Sequence, residues 1–291
     1  MKYYLSTNNS NLKKELIRFN KSKFINREEL KKYNSAEIIL ISIDKPRFKD
    51  LLIPFNKKIL FRLEYLPVRK FPFDIFFYKL FFDFIYEWDS SFIDNSCSFL
   101  PFFPPRIGMI HENEIVEEKV NLNYFFLNQF KKSNLISTII SDKKLLLWQK
   151  KRIELIEFLV KDINQIERYG RGFKKVLDKS EVLIPFKYHI AIENCENGPS
   201  EKLWDPLLCN CIVFYGGNLD LVYPLIRKAI IQIPIFDKYK SKKIISNELK
   251  TSRIFNSVTK EDWLEIKSSI KRLYSFENHN ILKKDLIHKK I

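Results

Sequence analysis

Short runs of β-branched and apolar residues alternate along this chain with longer amphipathic segments, and no other feature constrains the fold as much. Glu37-Ile38-Ile39-Leu40-Ile41-Ser42-Ile43 and Lys58-Ile59-Leu60-Phe61-Arg62-Leu63 read as buried parallel strands. A strand covered on both faces shows an unbroken apolar run rather than an alternating one. A second pair, Ile136-Ser137-Thr138-Ile139-Ile140 and Tyr188-His189-Ile190-Ala191-Ile192, flanks a segment in which Ile153, Ile156, Leu159, Val160 and Ile163 recur at helical spacing. That spacing gives the helix one apolar face, with Arg152 near its start. Cys211-Ile212-Val213-Phe214-Tyr215 is one more strand, stopped by Gly216-Gly217. Strands alternating with helices predict an α/β fold with mostly parallel sheets.

With 291 residues, 45% hydrophobic and 30% charged, the chain can bury a large core as one domain or two. Lys131 and Lys132 interrupt the apolar pattern before a new strand, which places a boundary after residue 132. The expected division is 1–132, 133–240 and a basic helical extension 241–291, where Trp263 and Phe276 fall at helical intervals. Cys97, Cys195, Cys209 and Cys211 lack the paired spacing of a zinc site and read as buried thiols of a reducing compartment. The N-terminus has no uninterrupted apolar stretch and no small-residue cleavage site, so no signal peptide is expected. The most lipid-like segment, Phe71 to Tyr86, carries Asp74, Lys79 and Asp83 and reads as aromatic core. The expected location is cytoplasmic.

A formal net charge of +16 raises the question of an anionic partner but does not by itself settle one. Nucleic acid, an anionic membrane surface and phosphorylated small molecules are all compatible with it. The lysines are spread along the chain without a nucleic-acid recognition motif, so no nucleic acid is expected. Peripheral contact with an anionic membrane stays open.

The stretch Phe186 to Gly217 carries the chemistry, as strand, polar loop, helix and strand. Ser200 stands where an N-cap belongs, ahead of Glu201, Lys202, Leu203 and Trp204. Free N–H groups at a helix start, with a lysine beside them, suit a diphosphate; the same triplet also serves as a plain cap. Glu193 and Asn194 end the preceding strand, where open α/β sheets bind ligands.

These residues resemble the donor-binding signature of the fucosyltransferase family, glycosyltransferase family ten. The matching blocks are Lys187 to Asn194, then Ser200-Glu201-Lys202-Leu203-Trp204-Asp205, then Phe214-Tyr215-Gly216-Gly217. Upstream, Ser137 to Lys144, Lys151-Arg152-Ile153 and Tyr169-Gly170-Arg171-Gly172-Phe173 are similar to further family blocks. Leu63 to Pro67 and Phe82 to Asp89 match more thinly. The family's Thr before Glu-Lys is Ser200 here, its preceding aromatic is replaced by Gly198-Pro199, and its last-strand proline is Val213.

The resemblance implies a GT-B architecture, with two Rossmann-like domains facing a cleft, and a nucleotide-sugar donor held by the second domain. It implies inverting transfer of a sugar, fucose from GDP-fucose, to a glycan acceptor, with no cofactor and no bound metal. Lys202 and Arg152 would hold the diphosphate. Glu193, Asn194, Ser200 and Glu201 would line the donor site, with Tyr169 and Gly170 at its border. The base would be a carboxylate of the first domain: Glu64, with Glu87 and Asp89 as the next choices. No Asp-x-Asp pair follows a strand, and the pairs Glu28-Glu29 and Glu117-Glu118 are expected in exposed helices. His189 reads as a packed strand residue, and His111, His279 and His288 show no metal-ligand spacing. Two other classes stay open: a GT-B transferase using another nucleotide-sugar, and a non-enzymatic basic nucleic-acid binder.

Overall fold

A computed structural model describes residues 2–7, 24–43, 47–62, 75–87, 97–99, 105–112, 115–195, 199–220 and 222–273. The chain divides into two compact units between Phe103 and Pro104.

The first unit is built on β1 (Lys2–Ser6), β2 (Phe24–Ile25), β3 (Ile38–Ile43), β4 (Lys57–Phe61), β5 (Phe84–Glu87) and β6 (Cys97–Phe99). The short helices α1 (Phe48–Leu51) and α2 (Ile75–Tyr78) lie between strands in the chain. Described strands pair in the order β2-β1-β3-β4-β5-β6, every pair parallel. All six residues of β3 are buried, as its unbroken apolar run requires. Tyr4, Ile38, Leu40, Leu60 and Ile85 form the core on one face.

The second unit opens with an antiparallel hairpin, β7 (Met109–Glu112) and β8 (Ile115–Glu118), followed by α3 (Leu122–Leu127). Its sheet combines β9 (Asn134–Ile139), β10 (Ile166–Tyr169), β11 (Phe186–Ile192), β12 (Ile212–Gly216) and β13 (Ile230–Gln232). The order is β10-β9-β11-β12-β13 and all pairs are parallel. Helices α4 (Leu147–Asp162), α5 (Lys179–Leu183) and α6 (Glu201–Leu208) make the crossovers between its strands. Then α7 (Lys238–Thr251), α8 (Arg253–Ser257) and α9 (Lys260–Leu273) close the described chain. In each unit the chain starts in an inner strand, moves outward, then returns to the other side of that strand. The switch points lie between β1 and β3 and between β9 and β11, and such crevices at the carboxyl ends of strands bind ligands.

Three sequence expectations change. The boundary expected after residue 132 falls inside the second unit, because buried carboxylates tie the preceding segment to that unit. Asp205 accepts the N–H groups of Arg106 and Ile107, and Asp178 accepts that of Gly108. Glu117 and Glu118 lie in strand β8, not in a helix, though both are exposed as expected. Helix α4 begins at Leu147, so Arg152 sits in its second turn rather than at its start. There the side chain of Gln149 reaches back to accept the N–H groups of Leu145 and Leu146, satisfying donors that a helix start leaves open.

Candidate nucleotide-binding site

Helix α6 starts from the loop after β11, and its first turn is fixed by a buried carboxylate. Glu193, 2% exposed, accepts the Ser200 N–H at 2.8 Å and the Ser200 hydroxyl at 2.6 Å. The Tyr215 hydroxyl, from the neighbouring strand, donates to it at 3.1 Å. Ser200 in turn accepts the Lys202 N–H, so the N-cap read from the sequence is present. The lysine head group lies 3.2 Å from Ser200 Oγ and 3.6 Å from both Glu193 and Glu201.

Arg152 reaches the same crevice from α4. Its Nη1 donates to the side-chain oxygen of Asn194, and its Nη2 donates to the Ser141 carbonyl at 3.2 Å. The guanidinium therefore spans the loops after β9 and β11, the two strands that flank the switch point. It is only 3% exposed, and its Nε has no hydrogen-bond partner among the described residues. Burial lowers the Arg152 pKa, and Glu193 works against that shift. For Lys202 burial pulls the pKa down, but Glu201 and Glu193 outweigh it and the pKa rises. A guanidinium keeps its proton in proteins, and the two carboxylates favour the charged lysine.

Two further cations surround Glu201. Lys179 Nζ and Arg106 Nη1 each stand 4.0 Å from its Oε1, alongside Lys202 at 3.6 Å. Burial would raise the Glu201 pKa, yet Lys202, Lys179 and Arg106 together hold it well below the usual carboxylate range. Lys179 also bonds Asp205 at 2.7 Å, where burial raises the carboxyl pKa and the lysine opposes the rise. The cluster thus holds Arg152, Lys202, Lys179 and Arg106 against Glu193, Glu201 and Asp205. Positive charge is in surplus at the end of a helix whose dipole is also positive, which is the electrostatic requirement for a bound anion.

The structure brings together Arg152, Glu193, Asn194, Ser200, Glu201 and Lys202, all named from the sequence. Glu193 takes a different part from the one expected. Its oxygens are committed to Ser200 and Tyr215, so it holds the helix start in place instead of facing a ligand. Tyr169 and Gly170 do not join the cluster by side-chain contact. The Tyr169 ring packs with Val182 and Phe186, and its hydroxyl donates to Glu167. Gly170 has φ +112°, and a Cβ there would collide with the Ile140 carbonyl oxygen, so the position serves close backbone approach. Sequence reasoning missed Lys179, Arg106 and the anchor role of Asp205. The available signal was Asp178 ahead of Lys179, a second cap that accepts the Ser180 N–H at 2.9 Å.

His189 is buried with Nδ1 2.9 Å from Ser137 Oγ, and burial presses its pKa down to about 3, so it is a packed neutral histidine. Cys195, Cys209 and Cys211 are buried free thiols. No group of three His, Cys, Asp or Glu that could hold a metal occurs among the described residues. Glu64 and Asp89 lie outside the described residues, and Glu87 ends β5.

No family model and no curated protein matches the chain. Solved structures do. An alpha1,3-fucosyltransferase is 12% identical over 91% of this chain and 81% of its own, with a TM-score of 0.51. An alpha1,3-fucosyltransferase with GDP-fucose is 13% identical over 94% and 90%, also at 0.51. S. aureus TarM, in complex with Fondaparinux, alpha-GlcNAc-glycerol and UDP, is 12% identical over 89% of this chain and 57% of its own, at 0.54. The likeness is one of fold. The chain has the α/β fold with parallel sheets shared by GT-B glycosyltransferases.

Proposed function

We propose that the protein is a GT-B glycosyltransferase that moves a sugar, fucose from GDP-fucose, to a hydroxyl of a glycan acceptor with inversion. The observation that carries this reading is the pairing of Arg152 and Lys202 at the switch point of the second unit, ahead of a capped helix start. The acceptor oxygen attacks the anomeric carbon while the bond from that carbon to the diphosphate oxygen breaks. The bonding pair leaves with the diphosphate, where Arg152 and Lys202 offset the growing charge. The acceptor proton passes to a carboxylate, for which Glu64 is the proposed base. Asn194 orients Arg152, and Ser200 and Glu193 hold the helix start that faces the phosphates.

A second reading, another nucleotide-sugar on the same fold, is favoured by the S. aureus TarM complex with UDP. A thermal-shift panel of GDP-, UDP-, CMP- and dTDP-sugars separates the two. At 100 times its dissociation constant the true donor stabilises the protein by about 2.7 kcal/mol. A shift with GDP and GDP-fucose alone is expected. A shift with UDP-sugars and a silent GDP set would transfer the assignment to the second reading, and silence throughout would overturn both.

A further inference from the structure

A cavity of about 640 Å³ opens in the second unit beyond the carboxyl ends of β12 and β13, within the size range of small-molecule sites. It adjoins the charged cluster. Trp148 on its wall lies one helical turn before Arg152, and Gly217 on its floor follows Gly216, whose carbonyl accepts the Glu193 N–H at 3.0 Å. A ligand that grips Arg152 and Lys202 with one end has this cavity within reach of the other.

One wall is aromatic. Trp148 meets Phe236 edge to face at 5.6 Å, and the Phe236 ring is left 60% exposed, free to stack on a flat ligand. The segment that carries Asp220 also lines the cavity, and several hydrogen bonds brace it. Asn218 Oδ1 accepts the Asp220 N–H at 2.7 Å, and Arg227 donates to the carbonyls of Val222 and Leu219 at 2.8 and 2.7 Å. Gln232 donates to the Gly217 carbonyl at 3.3 Å. With Arg227 and Asn218 committed to the backbone, the Asp220 carboxylate has no hydrogen bond or ion pair among the described residues. It is an acceptor-only group in the lining of a cavity that also holds Trp148 and Phe236.

We propose that this cavity takes the nucleobase of a nucleoside diphosphate and that Asp220 selects guanine. The inference rests on the donor-site reading above and adds the cavity and the residue that read the base. Guanine presents two neighbouring donors, N1–H and the 2-amino group, which a carboxylate accepts together. Uracil offers a single N–H flanked by two carbonyl oxygens, and adenine offers an acceptor at the same place. Both set lone pairs against the carboxylate and are rejected.

Titration calorimetry on the full chain with GDP, inosine diphosphate, xanthosine diphosphate and UDP tests the proposal. Inosine lacks the 2-amino group and is expected to bind about 10-fold or more weaker than GDP, the scale of a lost hydrogen bond to a charged group. Asp220→Asn turns one acceptor into a donor, which matches the 2-oxo group of xanthine. That variant is expected to reverse the preference, binding xanthosine diphosphate above GDP. Trp148→Ala is expected to weaken every nucleotide in parallel. A GDP-binding protein that ignores the 2-amino group, or an Asp220→Asn variant with an unchanged GDP to xanthosine diphosphate ratio, overturns the guanine assignment and leaves the donor site standing. Lack of binding by every nucleotide, or unchanged GDP affinity in Lys202→Ala, overturns the donor-site reading and this inference with it. Asp220 is exposed, so its substitution is not expected to disturb folding, and melting temperature provides the check.

Discussion

Glu193 shows how one side chain sets the geometry of others. It is buried, it accepts from Ser200 and Tyr215, and it faces Lys202 at 3.6 Å. Glu193→Ala would leave those donors unpaired and Lys202 without its inner counter-charge, a loss of about 3–5 kcal/mol of folding stability on the scale of a broken buried ion pair. Urea unfolding measures it, and a loss below 1 kcal/mol would remove Glu193 from its organising role. Arg152→Ala and Lys202→Ala act on the ligand instead. Each deletes a charge-assisted contact worth about 1.5–3 kcal/mol, so GDP affinity is expected to fall roughly 10- to 150-fold and transfer further. Glu64→Gln is expected to leave GDP affinity almost unchanged while transfer drops about 100-fold or more, the contribution of a general base. Normal transfer by that variant would send the search to Glu87 and Asp89.

At the scale of elements, α9 is fastened through a buried lysine. Lys267 is 1% exposed and its head group donates to the Asn128 carbonyl and to Asn210 Oδ1. Burial is the main cause that brings its pKa from 10.5 to about 7. The unfolded chain therefore holds more protons than the folded one between those two values, and stability rises with pH across that window. Below about 7 both states are protonated and the full cost of a buried cation is present. From pH 7 to 8, below the range where the buried thiols and Tyr215 act with opposite sign, the gain is about 1 kcal/mol. Lys267→Met is expected to abolish that gain, measured by urea unfolding at the two pH values; an equal slope in both proteins would show that another group is responsible. Strands β3 and β12 were legible because parallel strands bury both faces and so carry near-continuous apolar runs, whereas Ser137, Thr138, Lys187 and His189 interrupt those of β9 and β11. The start of α6 was legible because Ser200 is a local cap. The start of α4 was not, since Leu146 offers no capping oxygen and Gln149 supplies it from inside the helix. Lys179 and Arg106 meet Glu201 through folding: the cap Asp178 marks the helix start that carries Lys179, but no local pattern names Glu201 as the partner of either cation. The β7–β8 hairpin was hidden because the adjacent exposed pair Glu117 and Glu118 breaks the alternation in β8, although Met109 and Val116 are buried.

The whole molecule carries a formal charge of +16, more than a single diphosphate site uses. In the proposed reaction Lys202 and Arg152 take the place of a divalent ion, so transfer is expected to persist in EDTA; loss of activity restored by magnesium or manganese would refute that. The remaining charge bears on where the protein works. No described helix is long and apolar enough to cross a membrane. Helix α7, however, exposes Lys238, Lys240, Lys243 and Lys250, and its Tyr239 is 69% exposed. Basic residues beside an exposed aromatic suit an anionic lipid surface, where each lysine near the headgroups contributes about 1 kcal/mol and the aromatic ring settles at the interface. Such attraction is reversible and weakens with salt, because the charges lie in water and are screened beyond about a Debye length. The protein is therefore expected to sediment with vesicles rich in anionic lipid at low salt and to stay in the supernatant with neutral vesicles or at high salt. Replacing Lys238, Lys240 and Lys243 by Gln should weaken sedimentation by roughly 3 kcal/mol, more than 100-fold in partitioning. GDP affinity should be unchanged in the triple variant, since none of the three belongs to the Arg152 and Lys202 cluster. Wild-type protein left in the supernatant with anionic vesicles at low salt would exclude the membrane surface as the partner of this charge.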